Sequence, residues 1–237
     1  MSFSSLSQNI QKVMQSIHEA ALRVGRDPNA IQLVAATKTV PFARMREGHE
    51  AGIQIFGENR LQEAQPKQRD LRDLTTVSWH FIGQVQRRKI KDVVGAFDLI
   101  HSVENSVQAR EMDKRSKELG IKQDILLQVN VSGEATKGGY AIPDLMESLP
   151  ELAGMRHLAV KGLMTIPPWT EDVEAVRPYF RTLRELSRTI DQHDYEHISM
   201  NELSMGMSQD YTIAVEEGAT LVRVGSALFG ARPLRAS

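Results

Sequence analysis

The chain contains no cysteine, which excludes disulfides, thiolate metal sites and a cysteine nucleophile together. Charge of one sign is lacking too. The formal net charge is −1, so no general attraction to nucleic acid or to an anionic membrane is expected, and no such partner is read. Long apolar runs are missing, and Met1-Ser2-Phe3-Ser4-Ser5 has none of the charged-then-apolar pattern of a secretory leader. The expectation is a soluble, cytoplasmic protein. A Gly-rich dinucleotide fingerprint is absent after the first apolar run, which weighs against an open nucleotide-binding sheet.

What is present is ordinary globular composition, with 41% hydrophobic and 25% charged residues in 237, enough for one large core. Leu6 to Val24 reads as an amphipathic helix with Ile10, Val13, Met14, Ile17 and Ala21 on its apolar stripe. Gly25 and Asp27-Pro28 then end it. Apolar runs follow at Ile31–Ala36, Ile53–Phe56, Val77–Ile82, Phe97–His101, Ile125–Val131, Leu158–Thr165, Ile198–Leu203 and Leu221–Val224. Most lead into helical patterns, for instance from Pro41, Asn105–Leu119, Ile142–Leu152 and Val173–Ile190. Strict strand–helix alternation with near-continuous apolar strands indicates a parallel sheet covered on both faces. Eight repeats in this length predict one (β/α)8 TIM-type barrel with an extra N-terminal helix: a single domain over 1–237, with helix and turn in 1–28 and barrel in 29–237. Ile166-Pro167-Pro168-Trp169 is short enough to be a loop within it.

Function in such barrels sits at the C-terminal strand ends. Those positions hold Lys38; Asn59; His80 and Gly83; Asn130 and Ser132; Met164 and Thr165; Ser204 to Ser208; and Arg223, Gly225 and Ser226. Lys38, after small Ala35 and Ala36, suits an amine nucleophile toward a carbonyl, of a substrate or of pyridoxal 5′-phosphate; equally, it suits a lysine that reaches water. The seventh and eighth loops, Ser204-Met205-Gly206-Met207-Ser208 and Arg223-Val224-Gly225-Ser226-Ala227, each pair a glycine with a hydroxyl where barrels often bind phosphate. Alternation puts Leu221, Arg223 and Gly225 on one side of the last strand. Arg223 there fits either an ion pair, with Glu58 as a candidate, or a hydrogen bond to a pyridine nitrogen. His193 and His197, four apart, read as a solvated connection rather than metal ligands. Arg87-Arg88-Lys89 reads as the solvated opening of a helix.

Six motifs in register carry a resemblance: Val34-Ala35-Ala36-Thr37-Lys38-Thr39, Phe56-Gly57-Glu58-Asn59, Trp79-His80-Phe81-Ile82-Gly83, Gly162-Leu163-Met164, the Ser204–Ser208 loop, and Arg223 to Gly230. Together they resemble the pyridoxal phosphate homeostasis protein family, from the first strand almost to the C-terminus. The resemblance implies a barrel like the N-terminal domain of alanine racemase, with the vitamin B6 cofactor pyridoxal 5′-phosphate held as a Schiff base, a covalent aldimine, on Lys38. It implies phosphate contacts at Ser208, Gly225 and Ser226 and an arginine, Arg223, at the ring nitrogen. Asn59, His80, Met164 and Ser204 would line the pocket. Arg60 stands where the family often has an aromatic residue, and Ser226 where it often has threonine.

An always-charged arginine at the ring nitrogen weakens the cofactor as an electron sink. The second domain that gives such racemases a tyrosine base has no room in this sequence, and Tyr140, Tyr179, Tyr195 and Tyr211 do not end recognised strands. The expectation is therefore a carrier or reservoir of the cofactor without catalytic residues, metal or turnover. It would be a monomer or weak dimer, with cofactor-dependent apoenzymes as recipients. Two alternatives stay open: a racemase-like enzyme of the alanine racemase type, and a cofactor-free barrel that uses Lys38 as an aldolase does.

Overall fold

A computed structural model describes residues 5–134 and 137–230; Met1 to Ser4, read above for a leader, and the tail at 231–237 lie outside them. The chain opens with α1 (Leu6–Arg23). Ser5 and Gln8 form a capping box, in which the Ser5 Oγ accepts from the Gln8 amide at 3.2 Å and the Gln8 side chain accepts from the Ser5 amide at 3.0 Å. Leu6, Ile10, Val13, Ile17, Ala20 and Ala21 are buried on one stripe. Met14 was expected on that stripe but is 44% exposed; adjacent to Val13, it falls past the stripe's edge, since successive helix residues are turned by about 100°.

The strands are β1 (Gln32–Ala36), β2 (Ile55–Glu58), β3 (Ser78–Phe81), β4 (Leu99–Val103), β5 (Gln123–Gln128), β6 (Leu158–Met164), β7 (Ile198–Ser204) and β8 (Leu221–Val224). All neighbours pair in parallel and β8 pairs with β1, closing the barrel. The helices between them are α2 (Phe42–Glu50), α3 (Leu61–Asp70), α4 (Ile90–Val93), α5 (Ser106–Leu119), α6 (Ile142–Ala153), α7 (Arg177–Asp191) and α8 (Tyr211–Glu216), and α9 (Ser226–Phe229) follows β8. Alternation along each strand sorts side chains into two cores. Outward residues such as Phe56, Phe81, Ile100, Leu127 and Val222 pack under the helices. Inward residues Val34, Ile55, Ile82, Leu99, Leu126, Met164 and Leu221 fill the barrel.

Two local readings differ from expectation, and a third agrees with it. The basic run Arg87–Lys89 forms a 3-10 turn ahead of the single helical turn α4, not a full helix. β5 ends at Gln128 because Asn130 folds the chain away: its Oδ1 accepts from Ser132 Oγ and Gly133 N at 3.1 Å each, and its Nδ2 donates to the Glu134 carbonyl at 2.9 Å. The segment bearing His193 and His197 is a turn, so their spacing of four does not bring them together; His193 stacks on Tyr195 and His197 lies 3.4 Å from Glu196.

Candidate functional site

Val34 and Ala36 both belong to the inward-facing set of β1, and the same alternation carries the half-buried Lys38 toward the mouth of the barrel. The chain around it is gripped from outside. Lys67 of α3 donates to the Thr37 carbonyl and to Glu58 Oε1, at 2.7 Å each, and Thr37 Oγ1 donates to the same carboxylate oxygen at 2.5 Å. On the other side Thr39, in the left-handed region at φ 61°, donates its amide to Glu63 at 3.1 Å. One helix thus fixes the residues before and after Lys38. Burial pushes the Glu58 carboxyl up, against its bonds to Lys67 and Thr37. The expectation that Glu58 could pair with Arg223 is corrected: Glu58 points outward from β2 and pairs with Lys67.

Arg223 does face into the barrel, 5% exposed. Its Nη1 donates to Ser204 Oγ at 2.6 Å and its Nη2 to the Thr165 carbonyl at 2.9 Å. Burial lowers its pKa to about 10, with buried Asp210 opposing. Below it sits the apolar plug, in which Met164 is 1% exposed.

The last two loops meet at Ser208. Its Oγ accepts from the amides of Gly225 at 3.2 Å and Ala227 at 3.4 Å, so two backbone donors from the β8 loop aim at one point beside a hydroxyl from the β7 loop. Gly206 allows this path. It has φ +89°, and a β-carbon there would stand 2.5 Å from Ala214 Cβ and 2.9 Å from Tyr211 Cα. Asp210 accepts from the Met207 amide at 2.5 Å. Behind it, Glu217 binds Arg177, Arg181 and Arg184 at 3.3, 3.1 and 3.0 Å, tying the end of α8 to α7. Gly225 stands against Ala36, two residues before Lys38, where a β-carbon would lie 3.4 Å away. Ser226 is exposed at the start of α9.

Asn59 continues the inward file of β2, and its Oδ1 is buried with no hydrogen-bond partner among the described residues. Gly83 is required beside it, since a β-carbon would fall 2.2 Å from the Asn59 carbonyl oxygen. Lys38, Arg223, Asn59 and the Ser208 cup therefore share one end of the barrel. Amine, fixed cation, unsatisfied amide and paired N–H donors form a donor set suited to an aldehyde-bearing aromatic phosphate. His80 lies deeper than expected, next to the apolar plug. It reaches the mouth only through His101, whose Nε2 is 3.0 Å from His80 Nδ1 and whose Nδ1 is 2.8 Å from Ser204 Oγ. His101, fully buried, was not singled out from sequence; the alternation that turned Arg223 inward would have turned it inward beside Leu99.

Comparison with known proteins places the chain and its fold. The sequence model of the family described as "Alanine racemase, N-terminal domain" matches residues 3–233. A protein of Aquifex aeolicus named pyridoxal phosphate homeostasis protein is 44% identical over 225 residues, covering 95% of this chain and 97% of its own. One of the same name from Pseudomonas aeruginosa is 43% identical over 232 residues, covering 97% and 96%. Among solved structures, PipY of Synechococcus elongatus with PLP bound superposes with a TM-score of 0.82 at 35% identity, over 95% of this chain and 100% of that one. An alanine racemase of Clostridium difficile shares the fold at a TM-score of 0.71 and 14% identity, and the match spans 58% of its length.

Proposed function

This chain belongs to the pyridoxal phosphate homeostasis protein family, and we propose that it binds pyridoxal 5′-phosphate in the mouth of its barrel and holds it as a cytoplasmic reservoir for cofactor-dependent apoenzymes. The observation that carries the reading is the convergence of the Gly225 and Ala227 amides on Ser208 at the end of the barrel where Arg223 turns inward and β1 leads into Lys38. In this reading the cup takes the phosphate, Lys38 joins the aldehyde carbon, Arg223 donates to the ring nitrogen and Asn59 meets a polar ring substituent. The bound cofactor supplies an electrophilic carbon and a conjugated ring. Arg223, a donor only, favours an unprotonated ring nitrogen and so a poor electron sink.

The test is an absorbance spectrum of purified protein before and after borohydride, followed by peptide mass spectrometry. A phosphopyridoxyl adduct on Lys38, lost in Lys38→Ala, is expected. No adduct after incubation with the cofactor would overturn the reading. Amino acid turnover that disappears in Lys38→Ala would replace the reservoir by an enzyme.

A further inference from the structure

A line of hydrogen bonds runs lengthwise through the barrel from Arg223, and chemistry fixes its direction at one end. A guanidinium can only donate, so Ser204 Oγ, 2.6 Å from Arg223 Nη1, accepts. Ser204 Oγ keeps one proton to give, and its other hydrogen bond to the described residues is to His101 Nδ1 at 2.8 Å; donating there leaves Nδ1 bare. The neutral His101 ring therefore carries its proton on Nε2, and 3.0 Å away His80 Nδ1 must also be bare. His80 in turn carries its proton on Nε2. That edge makes no hydrogen bond to the described residues, and the ring lines a cavity of about 750 Å³ between α1 and the N-terminal ends of β1, β2 and β3. This is the end of the barrel opposite Lys38.

We propose that His101 and His80 are positioning residues for Arg223: they hold Ser204 as an acceptor and so fix the guanidinium toward a heteroaromatic nitrogen at the mouth. The proposal rests on the cofactor reading above for the identity of that ring. The opposite proton order fails on chemical grounds. A proton on His101 Nδ1 could be accepted by the second lone pair of Ser204 Oγ, but the buried Ser204 proton would then have no acceptor among the described residues. A doubly protonated ring would set a second cation beside Arg223 in a dry interior. The surroundings agree: burial first, then His80 and Arg223, hold His101 well below the ordinary histidine range. Burial lowers His80 to about 4, against the attraction of Asp98.

Two measurements decide it. In full-length protein labelled with 15N-histidine and free of cofactor, both rings should be neutral with protons on Nε2 at pH 7, and Ser204→Ala should let His101 populate both tautomers. A wild-type His101 protonated on Nδ1, or charged, would overturn the direction of the line. In cofactor titrations, His101→Leu and His80→Leu should weaken binding by about tenfold and several-fold, the scale of one lost hydrogen bond. His101→Asn and His80→Asn, whose amide oxygens stand where Nδ1 stood, should stay within about twofold. Equal losses in the Leu and Asn variants, with all four folded by circular dichroism, would reduce the histidines to packing and sink the positioning role. If wild-type protein takes up no cofactor, the functional reading fails; the tautomer spectrum, recorded without cofactor, still decides whether Arg223 orders the line.

Discussion

The Nζ of Lys67 lies 2.7 Å from the carbonyl oxygen of Thr37, and the same ammonium neutralises the buried Glu58. An ion pair in a barrel wall is thereby tied to the backbone one residue before the amine proposed to bind cofactor. Removing one partner of a buried pair strands the other charge. Lys67→Met should lower unfolding stability by about 3–5 kcal/mol in urea titrations. The double change Lys67→Met with Glu58→Gln should recover part of that. In the double variant the rate of borohydride-trapped adduct formation at Lys38 should remain depressed, because the Thr37 carbonyl is still released. Recovery of both stability and rate would show that Lys67 acts on Glu58 alone.

The buried imidazoles predict an acid-sensitive fold. In the unfolded chain His80 takes up a proton near 6.5; in the folded barrel it does so only near 4. Between those values the unfolded state binds more protons, so stability rises with pH and is lost progressively as pH falls from about 6.5 to 4. For His80 alone this amounts to about 3 kcal/mol, and His101 adds to the same slope. The groups facing them are Asp98 for His80 and Arg223 for His101. Melting temperatures measured across that window should fall toward acid, and His80→Asn should flatten the curve. A flat wild-type profile would refute the assignment.

The anion cup predicts a selective loss. Ser208→Ala removes the hydroxyl at the meeting point of the Gly225 and Ala227 amides. Affinity for pyridoxal 5′-phosphate should fall by about ten- to a hundredfold, as expected for one hydrogen bond to a charged group, while affinity for pyridoxal without its phosphate should hardly change. Equal losses for the two ligands would place the phosphate elsewhere.

Two glycines should tolerate no side chain. In Gly83→Ala the new carbon would collide with backbone, 2.2 Å from the Asn59 carbonyl oxygen. In Gly206→Ala it would meet Ala214 and would also strain φ +89°. Each should destabilise by about 1–3 kcal/mol or more, read by thermal melts. Gly25→Ala has the same kind of φ but open space around it, and it should cost the backbone strain alone.

The barrel was legible because each strand announces itself as a short apolar run and each helix as a 3.6-residue stripe. Alternation alone turned Arg223 inward and gave Leu221 its place in the plug. The same rule along β4 turns His101 inward two residues after Leu99, although it closes the apolar run Phe97–His101. Lys67 gave no signal. It sits in a polar helical stretch beside Pro66, and only the tertiary fold brings it under Thr37. The β5 boundary was missed because Val129 and Val131 continue the apolar pattern, while the Asn130 turn is decided by side-chain bonds that periodicity does not register. Of the strand-end set, Asn130 and Ser132 spend their polar groups on their own loop.

α1 bears on the mouth through time rather than chemistry. Asn9 Nδ2 donates to the Leu228 carbonyl at 2.9 Å across a sequence separation of 219, Arg23 pairs with Glu216, and Arg26 donates to the Val215 carbonyl at 2.5 Å. This early segment therefore packs on α8 and α9, the two helices that follow the loops proposed to take the phosphate. During synthesis its apolar stripe can meet α2 early but lacks its main partners until those late helices emerge, so long-range closure comes late. A nascent chain stalled before β8 would hold Lys38, Glu58 and Lys67 in hand and still present an uncovered helix to chaperones. The first helix and the last two thus complete each other, and the loops beside Ser208 gain their full support only when both are in place.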